Sequence, residues 1–190
     1  VAGTIAAYDN NEGVVGVYPG VDMHIVKIFN DNGQWTYASD LIDAITQCQD
    51  AGSNVVNMSL GGGSSSTTER NAMQSFTDAG MLLVAAAGND GNSAKSYPAS
   101  YDAVMSVAAV DSSENRASYS QYNDQVEIAA PGSAVQSTYP TNTYASLSGT
   151  SMATPHVAGG AALVWSYFPQ CSNNQIRSAL NATAEDKGSA

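Results

Sequence analysis

Two apolar stretches, Met81 to Ala87 and Ala103 to Val110, the second interrupted only by Ser106, constrain this chain more than any other feature. A strand with one wet face alternates apolar and polar residues. A strand covered on both faces does not need to, and such runs mark a parallel sheet held between helices. Val126 to Ala130 is a shorter run of the same kind, and Asn54 to Leu60 is strand-like. Val21 to Phe29, rich in β-branched and aliphatic residues, also reads as a buried strand.

Between these runs the period changes. Ala38, Leu41, Ile42, Ile45 and Cys48 recur at helical spacing up to a stop near Gly52. Ser66 and Glu69 have the spacing of a capping box opening a helix with Ala72, Met73 and Phe76 on its apolar face, and Gly80 ends it. A third helix fits Ser151 to about Tyr167, before Pro169, and its small residues (Ala153, Ala158, Gly159, Gly160, Ala161, Ala162) allow another backbone to come close. Ser172 and Gln175 cap a last helix bearing Ile176, Ala179 and Leu180. Alternating strands and helices predict an α/β fold, a three-layer sandwich with a mainly parallel central sheet and helices on both faces. The 190 residues fit one domain, without internal repeats.

Charge and composition remove whole classes of function. Seventeen Asp and Glu against six Lys and Arg give a net charge of −11, which repels nucleic acid. No apolar run approaches the roughly 20 residues that span a bilayer, so no membrane partner is expected. Cys48 and Cys171 lack metal-ligand spacing; they form either one disulfide or two unpaired buried thiols.

In such sheets the active groups gather at the carboxyl ends of the strands. Three strand ends here break into glycine-rich text, at Ser59-Leu60-Gly61-Gly62, Ala86-Ala87-Gly88-Asn89-Asp90 and Ala130-Pro131-Gly132. Any one alone is an ordinary loop; together they offer backbone that an extended peptide can approach. Ser151 sits where Ser148-Gly149-Thr150 turns into the apolar helix. Its hydroxyl is then surrounded by unpaired N–H groups at a positive dipole end, suited to a developing oxyanion. Read alone, it is also a commonplace helix cap. A phosphate loop at Gly61-Gly62-Gly63 lacks the Gly-Lys-Ser/Thr ending. An α/β-hydrolase elbow would need glycine where Ala153 stands.

Four blocks, Val1-Ala2-Gly3-Thr4-Ile5-Ala6-Ala7, Asn57-Met58-Ser59-Leu60-Gly61-Gly62, Ala85-Ala86-Ala87-Gly88-Asn89 and Gly149-Thr150-Ser151-Met152-Ala153-Thr154-Pro155-His156, resemble the subtilisin-like serine proteases in the right order. Within them the chain looks most like the secreted enzymes of marine Gram-negative bacteria. The resemblance implies that Ser151 is the nucleophile and that Asn89 donates its amide to the oxyanion. It implies a primary specificity pocket walled by Ser59, Leu60, Gly61 and Gly62 on one side and Ala86, Ala87 and Gly88 on the other, with Ser96 near its floor. Leu60 and Trp35 would line a second apolar pocket. Such a cleft favours bulky apolar residues before the cut. The expected partners are protein or peptide substrates and the protein's own propeptide, with a secreted, monomeric enzyme.

A serine hydroxyl needs a base, and the base an orienting carboxylate. His156 lies five residues beyond Ser151 on one helix, about 140° round its axis, and so faces elsewhere. His24 lies in the expected strand beside Ile25 and Val26. In the family the catalytic histidine immediately precedes the Val-Ala-Gly-Thr string, with the aspartate earlier. The resemblance therefore reads residues 1–190 as a partial catalytic domain, truncated at both ends and inactive alone. The same gap keeps a non-catalytic, subtilase-like binding protein as the alternative. Tyr8-Asp9-Asn10-Asn11-Glu12-Gly13-Val14 resembles the family's tight calcium loop, with the carbonyls of Tyr8, Glu12 and Val14 and the side-chain oxygen of Asn10 facing the ion. As a plain polar turn it is equally at home. The carbonyls of Ala99, Tyr101 and Val104 are candidates for a weaker second cation site.

Overall fold

The apolar runs pair with one another. The computed structural model describes residues 1–32 and 38–187. In chain order the elements are α1 (Ala2–Ala6), α2 (Ala38–Asp50), β1 (Val55–Met58), α3 (Thr67–Asp78), β2 (Leu82–Ala86), β3 (Val104–Val110), β4 (Val126–Pro131), β5 (Val135–Tyr139), β6 (Thr143–Leu147), α4 (Thr150–Tyr167) and α5 (Asn173–Thr183). Strands β1 to β4 lie in sequence order in one parallel four-stranded sheet. Residues of opposite parity feed two separate cores. Val56, Met58, Leu83, Ala85 and Val104 pack with Leu41 and Ile45 of α2 and Met73 and Phe76 of α3. Leu82, Val84, Met105, Val107 and Ala109 pack with Ala153, Val157, Ala158 and Ala161 of α4 and Ile176 of α5. The three-layer α/β sandwich is thereby realised.

The small residues of α4 serve close packing. A methyl group built on Gly159 would lie 2.9 Å from Val17 Cβ and 3.6 Å from Ile5 Cα, so α1 and the turn after it rest directly on the helix.

Three expectations need correction. Val21–Phe29 forms no strand, and its side chains are largely in solvent, Ile25 being 69% exposed. It faces the outer edge of β1 across a cleft of about 1060 Å³, so its backbone finds no ladder to join. His24 accordingly stands in an exposed, irregular segment rather than in a strand. Strands β5 and β6, an antiparallel hairpin, arise from a stretch with no strand signal. Its turn places Thr141 at φ +65° and Asn142 at φ +57°, the handedness that tight hairpins need. The capping box at α3 is only half made. Ser66 Oγ accepts the Glu69 N–H at 3.4 Å, but the Glu69 carboxylate turns inward to Tyr101. The box at α5, Ser172 with Gln175, is complete.

Cys48 packs against the α2/α3 core and Cys171 against the α4/α5 core, on opposite faces of the sheet, and both are free thiols. Of the two readings of the cysteines, the unpaired one holds.

Candidate active site

The carboxyl ends of β1 and β2 and the amino end of α4 converge. Proline shapes the junction. Residue 155 has no N–H to return to the Ser151 carbonyl one turn earlier. That carbonyl instead accepts the Ser59 hydroxyl at 2.9 Å. In exchange, Ser151 Oγ donates to the Ser59 carbonyl at 3.3 Å. Asn57 Nδ2 supports the pair by donating to Ser59 Oγ at 3.0 Å, while its Oδ1 is buried without a partner among the described residues. The end of β1 and the start of α4 are thus locked together through Ser59 and Ser151.

A second lock comes from the end of β2. Asn89 Oδ1 accepts the Thr150 N–H at 2.8 Å and the Thr150 hydroxyl at 2.9 Å. Thr150 Oγ1, fully buried, also accepts the Gly88 N–H at 3.2 Å. With its oxygen doubly held, the Asn89 side chain has its NH₂ as the donating end, one residue from Ser151. The Ser151 N–H is among the helix's N-terminal donors that have no intrahelical acceptor. Gly88 has φ +113°, and a side chain there would collide with Gln121, so only glycine makes this approach.

Of the expected pocket residues, Gly61, Ser96 and Ala86 lie together. Gly61 lies against Ser96: a methyl on Gly61 would stand 2.6 Å from Ser96 Oγ and 3.9 Å from the Ala86 carbonyl. Gly62 exchanges two backbone hydrogen bonds with Tyr97, at 2.8 and 2.7 Å, and its outer side opens into space. Ala86, Ala87 and Ser96 are buried, whereas Ser59 and Leu60 are half-buried. Trp35 lies outside the described residues.

Neither histidine reaches Ser151. His156 Nδ1–H donates to the Met152 carbonyl of its own helix at 2.9 Å, and Ser151 Oγ is bonded to Ser59. Sequence reasoning missed Thr150 as the holder of Asn89. The only signal was its place beside Ser151, because its partner is 61 residues away.

In the Tyr8–Val14 loop, Asn10 Oδ1 accepts the Glu12 N–H at 3.1 Å. Gly13, at φ +64°, is backed by the Tyr144 ring where a side chain would project. The carbonyls of Tyr8, Glu12 and Val14 accept no hydrogen bond among the described residues. These neutral oxygens fit a hard cation. In the second set two of the three carbonyls carry hydrogen bonds. The Tyr101 carbonyl accepts the Val104 N–H at 2.8 Å, and the Val104 carbonyl accepts the Arg177 guanidinium at 3.3 Å.

The profile of the Subtilase family matches residues 1–190. Subtilisin DY of Bacillus licheniformis is 48% identical over 192 residues, covering 99% of this chain and 70% of its own length. A thermostable alkaline protease of Halalkalibacterium halodurans is 51% identical, with all of this chain matched to 52% of that protein. Among solved structures, the psychrophilic subtilisin-like protease Apa1 of Pseudoalteromonas sp. AS-11 superposes with a TM-score of 0.90 at 34% identity, covering 100% of this chain and 78% of its own. A protease of Pseudoalteromonas arctica gives 0.91 at 35%, with 97% and 62% covered.

Proposed function

The chain belongs to the subtilase family of serine proteases, and from that premise we propose that Ser151 opens peptide bonds through an acyl-enzyme. The observation carrying this reading is the double hold of Thr150 on Asn89 Oδ1, which sets a donating amide beside the serine at the helix start. Ser151 Oγ attacks the scissile carbonyl. The oxyanion that forms is met by Asn89 Nδ2 and the Ser151 N–H, and the helix dipole adds to their effect. The substrate runs as an extended strand between Ser59–Gly62 and Ala86–Gly88, and its side chain before the cut enters toward Ser96. The open side of Gly62 supports a bulky apolar residue in that position.

For attack, Ser151 must leave the Ser59 carbonyl and give its proton to a base. Among the described residues no histidine is placed to take it. The base and its orienting carboxylate belong, on this reading, to sequence outside these 190 residues, which alone are inactive. Tyr8, Asn10, Glu12 and Val14 would hold a calcium ion, which would stiffen the loop and would have no part in the reaction. The proposed setting is extracellular, with protein substrates and a propeptide as partners of a monomer. No described helix is long and apolar enough to cross a membrane. A net charge of −11 disfavours nucleic acid.

The Ser151–Ser59 bond also favours a second reading, a binding protein that holds peptides without cutting them. Turnover of a chromogenic peptide with phenylalanine before the leaving group separates the two. The full-length protein should cleave it, Ser151→Ala should not, and residues 1–190 alone should show no Ser151-dependent turnover. A full-length protein that binds the peptide but never cleaves it would establish the second reading.

A further inference from the structure

Gly61, Gly62 and Gly63 are followed by Ser64 and Ser65, a loop with little to hold its own shape. Glycine carries the largest backbone entropy, so a wall made of it keeps its place only where something outside pins it. The structure shows two pins, and both reach the same short stretch, Ser96–Tyr101. At the near end, Gly62 is bridged to Tyr97. At the far end, the Ser66 N–H donates to Tyr101 Oη at 2.9 Å. The two tyrosine rings touch, with centroids 4.8 Å apart.

The far pin depends on a buried acid. Glu69 is 3% exposed and Tyr101 2%, and Tyr101 Oη donates to Glu69 Oε2 at 2.6 Å. The same hydroxyl has a second acceptor within reach, the Ser66 carbonyl at 3.3 Å. With its proton committed to Glu69, the phenol oxygen turns its lone pairs toward the Ser66 N–H. Arg70 lies over the ring, 5.9 Å from its centroid, rather than on the carboxylate. Burial pushes the Glu69 carboxyl above the usual range, so an acid here costs stability that an apolar residue would not. Neither the helix cap, which Ser66 Oγ supplies to the Glu69 N–H, nor an ion pair accounts for it.

We propose that Glu69 is a positioning residue for substrate binding: through Tyr101 it anchors Ser66 and so holds the Gly61–Gly63 wall at the spacing that grips the side chain before the cut. This deepens the proposed function and rests on its reading of Gly61–Gly62 as that wall. Glu69 touches neither substrate nor Ser151, so its effect falls on binding and not on the chemical step.

The test uses the full-length protein, with kcat per active site counted by covalent titration, on chromogenic peptides ending in phenylalanine. Glu69→Leu and Tyr101→Phe should each raise KM about fivefold, the factor one lost hydrogen bond sustains, with kcat within about twofold. Glu69→Gln keeps an acceptor for the phenol and should restore KM to about the starting value. The double change Glu69→Leu/Tyr101→Phe should be no worse than either alone, because both act through one anchor. Unchanged KM in both single variants, equal losses in kcat, or a Glu69→Gln protein as impaired as Glu69→Leu overturns the proposal. Should Glu69→Leu not fold, Tyr101→Phe and Glu69→Gln still decide it. Gly62→Val tests the wall itself, since its side chain would enter the open space. If it raises KM while Tyr101→Phe does not, the anchor alone is wrong; if it changes nothing, the wall reading and the proposal fall together.

Discussion

Thr150→Val isolates the hydroxyl that holds Asn89. The two side chains have nearly the same shape, so packing in the fully buried site is kept while two hydrogen bonds are lost. Asn89 Oδ1 keeps the Thr150 N–H at 2.8 Å, so its amide is loosened rather than released. Losing one neutral hydrogen bond costs about 1 kcal/mol, and the half-buried Gly88 N–H left without an acceptor adds about 1 more. The unfolding free energy should therefore drop by about 2 kcal/mol, read by urea denaturation. Only the first of these terms bears on the amide, so kcat should fall about fivefold with KM unchanged. Asn89→Ala removes the donor outright. In subtilisin, which supplies this figure, the corresponding loss is about 10²–10³ in turnover. Thr150→Ser retains the hydroxyl and should keep kcat near its original value while losing a methyl's worth of packing. The predicted order in kcat is Thr150→Ser, then Thr150→Val, then Asn89→Ala, from chromogenic turnover of the full-length protein. A Thr150→Val enzyme with full kcat, or one as impaired as Asn89→Ala, would refute the argument that Thr150 orients the amide.

Arg177 pairs with Glu127 in a partly buried site and donates to the carbonyls of Asp102, at 3.0 Å, and Val104. Arg177→Ala removes its bonds to all three acceptors, although Glu127 keeps the Asn181 amide at 3.0 Å, and should cost about 2 kcal/mol of stability; a midpoint shift no larger than that of an exposed lysine variant would contradict this. Thiol titration should find two reactive groups after denaturation and no disulfide; burial pushes the Cys48 thiol up, so in the folded chain at pH 8 it should alkylate more slowly than a free thiol. The sign for Glu69 follows from its raised pKa: the folded state favours the protonated acid, so its contribution is most favourable at low pH and is lost as pH rises through the folded value. Glu69→Gln should therefore gain stability over the original protein as pH climbs above the ordinary carboxylate range. A difference that stays flat from pH 4 to pH 8, on that roughly 4-unit scan, would show the carboxyl is not desolvated.

The strands of the sheet were legible because burial on both faces leaves little room for polar residues: Met81–Ala87 has none and Ala103–Val110 only Ser106. Val21–Phe29 is also rich in aliphatic residues, though Asp22, His24 and Lys27 interrupt it, and it fails for want of a neighbour: strand propensity describes a surface that fits a sheet, and the sheet must supply the partner. The β5–β6 hairpin was hidden for the opposite reason. Its partners exchange Gln, Ser and Thr rather than alternating apolar side chains, and its turn uses Thr141 and Asn142 where glycine would have signalled it. At the site, Ser151 and Asn89 stand in compact strings that announce themselves. Their supports do not. Thr150 meets Asn89 over 61 residues and Glu69 meets Tyr101 over 32, and no local pattern records such pairings. Pro155 was readable in principle, since a missing N–H four residues beyond Ser151 frees that serine's carbonyl, but its partner Ser59 was not.

The account turns on Ser151 being a nucleophile beside an oxyanion site. Full-length protein treated with a fluorophosphonate and digested for mass spectrometry tests this most directly. The label should sit on the peptide that carries Ser151, disappear in Ser151→Ala, and form far more slowly in Asn89→Ala. A protein that binds peptides yet takes up no label, or carries it on another residue, would contradict the account.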